Sequence, residues 1–159
     1  MIKNRIVTCL WFDGQAEEAA NYYVSIFKNA KVGNISRYGK EGQEIHRQTP
    51  GSAMVVAFEL DGSHYTGLNG GPNFKFTEAV SLQVMCEDQK EVDYYWSRLT
   101  AGGQESQCGW CKDKFGLSWQ VVPNQLGQLF SDPEKAKKIM GTFMQMKKID
   151  IDKLLELSR

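Results

Sequence analysis

Short apolar runs and one helical stripe succeed each other twice along this chain. The run RIVTCLWF, residues 5–12, is apolar and rich in β-formers, which predicts a buried strand ended by Asp13-Gly14. In QAEEAANYYVSIF, residues 15–27, Ala16, Ala19, Ala20, Tyr23, Ile26 and Phe27 recur at helical spacing, with Glu17, Glu18 and Asn21 opposite. Residues 31–39 alternate like a strand, 40–51 are a polar loop, and 52–60 are a strong strand. Asp61-Gly62 signals a hairpin; residues 64–68 return as a strand and 69–78 form a loop.

The pattern then restarts. AVSLQVMC, residues 79–86, reads as a strand, and Asp88 with Glu91 three residues later opens a helix that Ala101-Gly102-Gly103 stops. QESQCGW (104–110) and LSWQVV (117–122) are further strands, parted by the turn KDKFG. A shift of about 73 residues lays Val7 on Val80, Thr8 on Ser81, Tyr23 on Trp96 and Ile26 on Leu99. Two βαβββ modules, about 5–69 and 79–122, follow within one domain. The fold class is α+β, with curved sheets around a cup-shaped cleft. A helical segment, about 124–158, closes the chain. Asp132 caps its main helix, Pro133 stands in the first turn, and Met140, Phe143 and Met144 form an apolar stripe.

Composition narrows the class. The chain has 159 residues, and 19 basic side chains balance 19 acidic ones, which does not resemble the basic footprint of a nucleic-acid binder. No apolar stretch approaches a membrane span, and the N-terminal run is too short for a signal peptide. A cytoplasmic protein is expected, with Cys9, Cys86, Cys108 and Cys111 as thiols.

The segments LWFDGQAEEAANYY, LNGGPNFKF, CGWCKDKFGLSWQVVP and MQMKKIDIDKL carry a resemblance. Together they resemble the PhnB-like branch of the vicinal oxygen chelate superfamily, from about Ile6 to Leu155. That superfamily also holds glyoxalase I, extradiol dioxygenases and bleomycin-resistance proteins, and the branch is also labelled 3-demethylubiquinone-9 3-methyltransferase. The resemblance implies paired βαβββ modules, a cup-shaped site and a homodimer.

It also implies four positions where metal-using members place His, Glu or Gln, and these fall here on Thr8, Asn69, Ser81 and Gln120. All four are neutral oxygen donors, unlike the ligands that hold zinc. The expectation is therefore no metal and no cofactor. Strand alternation points Thr8, Leu10 and Phe12 to one face, joined by Ser81, Gln83, Met85, Ser118 and Gln120, with Trp11 and Trp119 turned toward helices. Thr8, Leu10, His64, Asn69, Ser81, Gln83 and Gln120 are the candidate contacts for a small, partly apolar ligand. No catalytic residue is assigned. The rival readings are a metal-dependent lyase, isomerase or dioxygenase using Gln120 with His64 or Asn69, and a methyltransferase as the label says. The Cys108-x-x-Cys111 pair lacks the following helix that activates a redox thiolate, so ordinary thiols are expected.

Overall fold

A strand runs into a helix through a tight Asp-Gly turn, and the helix then folds back over the sheet that the strand begins. The computed structural model describes residues 4–159. The contacts divide the chain into two compact units, one ending at Lys75 and the other beginning at Phe76. The first unit comprises β1 (Thr8–Phe12), α1 (Ala16–Ile26), β2 (Lys31–Arg37), α2 (Gln43–His46), β3 (Ala53–Leu60) and β4 (Ser63–Asn69). Its sheet has the order β1-β4-β3-β2, parallel between β1 and β4 and antiparallel elsewhere. The helix α2 is one turn inside the segment expected to be a loop.

The second unit repeats the plan with β5 (Ser81–Cys86), α3 (Gln89–Thr100), β6 (Gln104–Glu105), β7 (Trp110–Lys112) and β8 (Ser118–Pro123). Its order is β5-β8-β7-β6, again with a parallel first pair. The expected strand over 104–110 is broken. Cys108 and Gly109 both take left-handed backbone, with φ of 58° and 82°, and two such residues in succession reverse the chain into a β6–β7 hairpin. Asp88 caps α3 by accepting from the Glu91 amide at 2.9 Å, as its spacing predicts.

Small residues bring α1 close to its sheet. Ala16, Ala19 and Ala20 are fully buried, and a Cβ on Gly67 of β4 would lie 3.1 Å from that of Ala16. Tyr23 stacks on Phe58, which stacks on Tyr65, at centroid separations of 6.0 and 5.3 Å. Leu10 and Phe12 belong to the same core.

Three helices follow the second sheet: α4 (Gln125–Ser131), α5 (Pro133–Gln145) and α6 (Ile151–Leu157). The main helix expected from the Asp132 cap is α5. Asp132 accepts from the Glu134 and Lys135 amides at 3.0 and 3.3 Å, fixing the start of α5. The buried cluster here is Leu129, Ile139, Ile149 and Leu154, with Phe143 packed against it. Met140 and Met144, expected in the apolar stripe, are exposed instead, and Ile139 takes the central place. Among the described residues no helix is long and apolar enough to cross a membrane.

Asn69, at the end of β4, ties three elements together. Its Oδ1 accepts from the Ala16 amide at 2.9 Å, at the otherwise unpaired start of α1, and its Nδ2 donates to the Ala53 carbonyl at 3.0 Å. Asn69→Ala leaves those partners buried and unpaired, a loss of about 1–3 kcal/mol for each. We expect the melting temperature of this variant to fall by several degrees in a thermal unfolding scan; an unchanged value would show that the residue is not a structural pin.

Candidate functional site

The two units repeat with a difference of one residue between strand and helix. In the helices, Ala19, Tyr23 and Ile26 correspond to Val92, Trp96 and Leu99, each 73 positions on. In the strands, buried Leu10 and Phe12 correspond to Val84 and Cys86, 74 positions on. The turn before α1 is residues 13–15, whereas the turn before α3 is only 87–88. Successive strand residues face opposite ways, so a one-residue slip turns a whole row over. Ser81 therefore corresponds to Val7 rather than Thr8. Cys9 pairs with Thr66 where Gln83 pairs with Gln120, so the counterpart of Gln120 is Thr66 rather than Asn69.

In the second unit the expected row is present. Ser81, Gln83 and Met85 of β5 stand beside Ser118, Gln120 and Val122 of β8, on the face away from α3. Gln120 Nε2 donates to Ser81 Oγ at 2.8 Å, and its Oε1 accepts from Gln83 Nε2 at 3.3 Å. Three of the seven candidate residues thus form one hydrogen-bonded chain without charge. Met85, 53% exposed, supplies apolar surface on the same row. The next strand adds Trp110 opposite Gln120 and Lys112 opposite Ser118. A cleft of about 510 Å3 opens along this part of the sheet, lined among others by Gln104, Trp110, Lys112, Ser118 and Glu78. None of the five is among the seven candidate contacts, although alternation placed Ser118 on this face. Ser118 was legible from its two-residue spacing to Gln120; the place of Trp110 and Lys112 depends on the hairpin at Cys108-Gly109.

The first unit corrects the expectation. Leu10, 4% exposed, and Asn69 lie in the core under α1 and line no open face. Thr8 is exposed at the start of the same row. The face away from α1 carries Trp11, which was expected to face a helix. Its Nε1–H donates to the Gly71 carbonyl at 2.8 Å, and its ring meets the edge of Phe74 at 4.9 Å. A Cβ on Gly70 would overlap the indole. His64 lies on this open face too, with Nδ1 3.3 Å from Glu59, which also pairs with Lys31 at 3.6 Å. A smaller cleft of about 210 Å3 includes these three with Thr66.

The profile of the 3-demethylubiquinone-9 3-methyltransferase family matches residues 4–122. This chain belongs to that family. A putative 3-demethylubiquinone-9 3-methyltransferase, a PhnB protein from Bacillus cereus, is 33% identical, with a TM-score of 0.67 over 76% of this chain and 99% of that one. FosX from Mesorhizobium loti, a fosfomycin resistance protein, is 13% identical with a TM-score of 0.57, over 83% and 100% of the two chains. A mutant FosX from Listeria monocytogenes, solved with Mn(II) and 1S,2S-dihydroxypropylphosphonic acid, is 17% identical with a TM-score of 0.54, over 80% and 98%. The fold is that of the vicinal oxygen chelate superfamily. No curated protein matches the sequence. The family match stops at residue 122, so α4, α5 and α6 lie outside it, although the resemblance was expected to continue to Leu155.

The residues at the positions implied for a metal do not suit one. Both ends of the Asn69 amide are bonded to backbone under α1, Ser81 and Gln120 bond each other, and Thr8 starts the row that enters the core. Neutral amides and hydroxyls are poor ligands for a transition dication. Among the described residues no three of His, Cys, Asp and Glu are grouped to hold an ion. The glycine-rich stretch of the family, Leu68-Asn69-Gly70-Gly71, is occupied in seating Trp11.

The CGWC segment is built into the second unit. The Cys108 and Gly109 amides donate to the Met146 and Lys147 carbonyls at 2.7 and 2.8 Å, which anchors the hairpin to the segment after α5. A Cβ on Gly109 would lie 2.7 Å from the Val121 carbonyl. Cys111 is buried, and desolvation, with the Asp113 and Glu105 charges, pushes its thiol up to about 12. Burial raises Cys86 to about 12 as well. Cys111 is therefore less reactive than the ordinary thiol that the sequence suggested. In a thiol-titration time course on the folded protein we expect exposed Cys9 to react first, half-buried Cys108 later, and Cys86 and Cys111 only on unfolding. Rapid modification of Cys111 at neutral pH would contradict its placement.

Proposed function

We propose that this chain binds a small, partly apolar molecule on the open face of its second sheet, through uncharged hydrogen-bonding side chains and without a metal ion. The observation that carries this reading is the Ser81–Gln120–Gln83 chain beside Met85 and Trp110. It offers donors and acceptors next to apolar surface, the usual composition of a small-molecule site. The adjacent cleft of about 510 Å3 is of the size such ligands occupy. A homodimer is part of the reading and rests on the family resemblance; a cytoplasmic location is part of it too and rests on a sequence with no apolar stretch long enough to span a membrane.

A metal-dependent lyase, isomerase or dioxygenase would need a stronger donor set than His64 with Glu59. The methyltransferase in the family's name has no separate support in the geometry, because the glycine-rich stretch packs on Trp11 and does not lead into a helix N-terminus.

Ligand-observed NMR against a panel of small aromatic and aliphatic molecules, with S-adenosylmethionine included, tests the reading. Hits should weaken about ten- to a hundredfold in Gln120→Ala, the factor that a lost buried hydrogen bond implies. Melting temperature should change little, because Gln120 lines an open face. A large loss of stability with unchanged affinity would remove this face as the site. Metal analysis of protein purified without chelator should find less than stoichiometric zinc, nickel, iron or manganese; one bound transition ion per chain would favour the metal-dependent reading.

A further inference from the structure

The cleft beside the neutral row contains one ammonium, one unpaired hydroxyl and one indole, and none of these belongs to the Ser81–Gln120–Gln83 chain. Lys112 Nζ lies 2.6 Å from Glu78 Oε1, with the two side chains 32% and 63% exposed. The partners are unequal. Lys112 stands on β7 within the sheet, whereas Glu78 sits on the segment before β5 and is largely in solvent. The carboxylate can therefore leave while the ammonium stays.

Directly opposite Lys112 in the ladder is Ser118, 1% exposed. Its Oγ is buried and has no hydrogen-bond partner. Buried hydroxyls are almost always paired, and an unpaired one is destabilising. Alanine would fill the same space without that loss, so the position calls for a partner from outside the chain. Trp110, two residues before Lys112 and half-buried, offers apolar surface on the same face.

We propose that this cleft takes the carboxylate of a small monocarboxylic acid with a planar apolar body, one oxygen replacing Glu78 at Lys112 and the other accepting from Ser118. The inference rests on the reading that this face binds a small molecule, and it adds one charged anchor, Lys112, to the uncharged contacts of that reading. The charge count favours a monoanion. Lys112 is the cation that Glu78 neutralises, so a monoanion that displaces Glu78 keeps the charge balanced, whereas a dianion leaves one charge without a counterion. Glu105 is held by Trp96 Nε1 at 2.9 Å and does not compete for Lys112.

Phenylacetate and its neutral isostere phenylacetamide test the proposal by titration calorimetry on the full chain. Phenylacetate should bind about tenfold more tightly than the amide, a modest factor because Lys112 is partly exposed. Lys112→Met should abolish that preference, whereas Glu78→Gln should tighten phenylacetate several-fold and leave the amide unchanged. A structural ion pair would not give this opposite response. Ser118→Ala should weaken phenylacetate without lowering the melting temperature. No binding of phenylacetate at millimolar concentration overturns the proposal, as does equal binding of the two probes or weaker binding in Glu78→Gln. If Gln120→Ala weakens both probes while Lys112→Met changes neither, the neutral face is the site and the carboxylate anchor fails alone.

Discussion

Each unit depends on a parallel pairing between its first and last strands. The last strand is laid down after the helix and the hairpin, and it takes an inner place between the first strand and the hairpin. Parallel partners cannot be joined by a short turn, so the helix serves as the crossover and must pack on one face of the sheet. That leaves the other face free. In the second unit the pairing sets Ser81 beside Ser118 and Gln83 beside Gln120, and the polar chain on the open face is a consequence of that register. In the first unit the same pairing sets Cys9 beside Thr66 and Trp11 beside Leu68, so the corresponding face is more apolar.

The family's sequence signatures turn out to be packing devices. Gly70 makes room for the Trp11 ring, and the Gly71 carbonyl accepts its N–H. Asn69 holds the first turn of α1 against β3. In the KDKFG turn, Asp113 accepts from the Phe115 and Leu117 amides and from Trp119 Nε1, at 2.8, 3.1 and 2.8 Å. A buried carboxylate with three donors is stable where an unpaired one would not be. Motifs of this kind specify the scaffold, and the side chains on the open faces are separate from them.

The C-terminal helices extend the scaffold beyond the family match. They pack around Ile139, Ile149 and Leu154 and present the Met146 and Lys147 carbonyls to the hairpin at Cys108-Gly109. Gln89 of α3 joins them, donating to the Ile149 carbonyl at 3.1 Å and accepting from the Ile151 amide at 2.9 Å. Because Cys108 lines the larger cleft, this segment supports one of its walls.

Periodicity and turn chemistry were enough to place most strands and the main helices, though not the break at Cys108-Gly109, because apolar spacing, Asp-Gly turns and Asp caps act over a few residues. The doubled βαβββ plan was legible for the same reason, and so was the polar row of Ser81, Gln83 and Gln120, where alternation within one strand suffices. What sequence reasoning could not settle was the register between copies. One residue more in the turn before α1 than in the turn before α3 sends Leu10 into the core and Trp11 outward, and a period of two makes that a complete inversion. The roles of Asn69, Lys112 and Ser118 also required the tertiary structure. Whether an amide holds a helix start, an ammonium faces a carboxylate or a hydroxyl lacks a partner depends on residues distant in sequence. Only folding brings those residues within hydrogen-bonding reach.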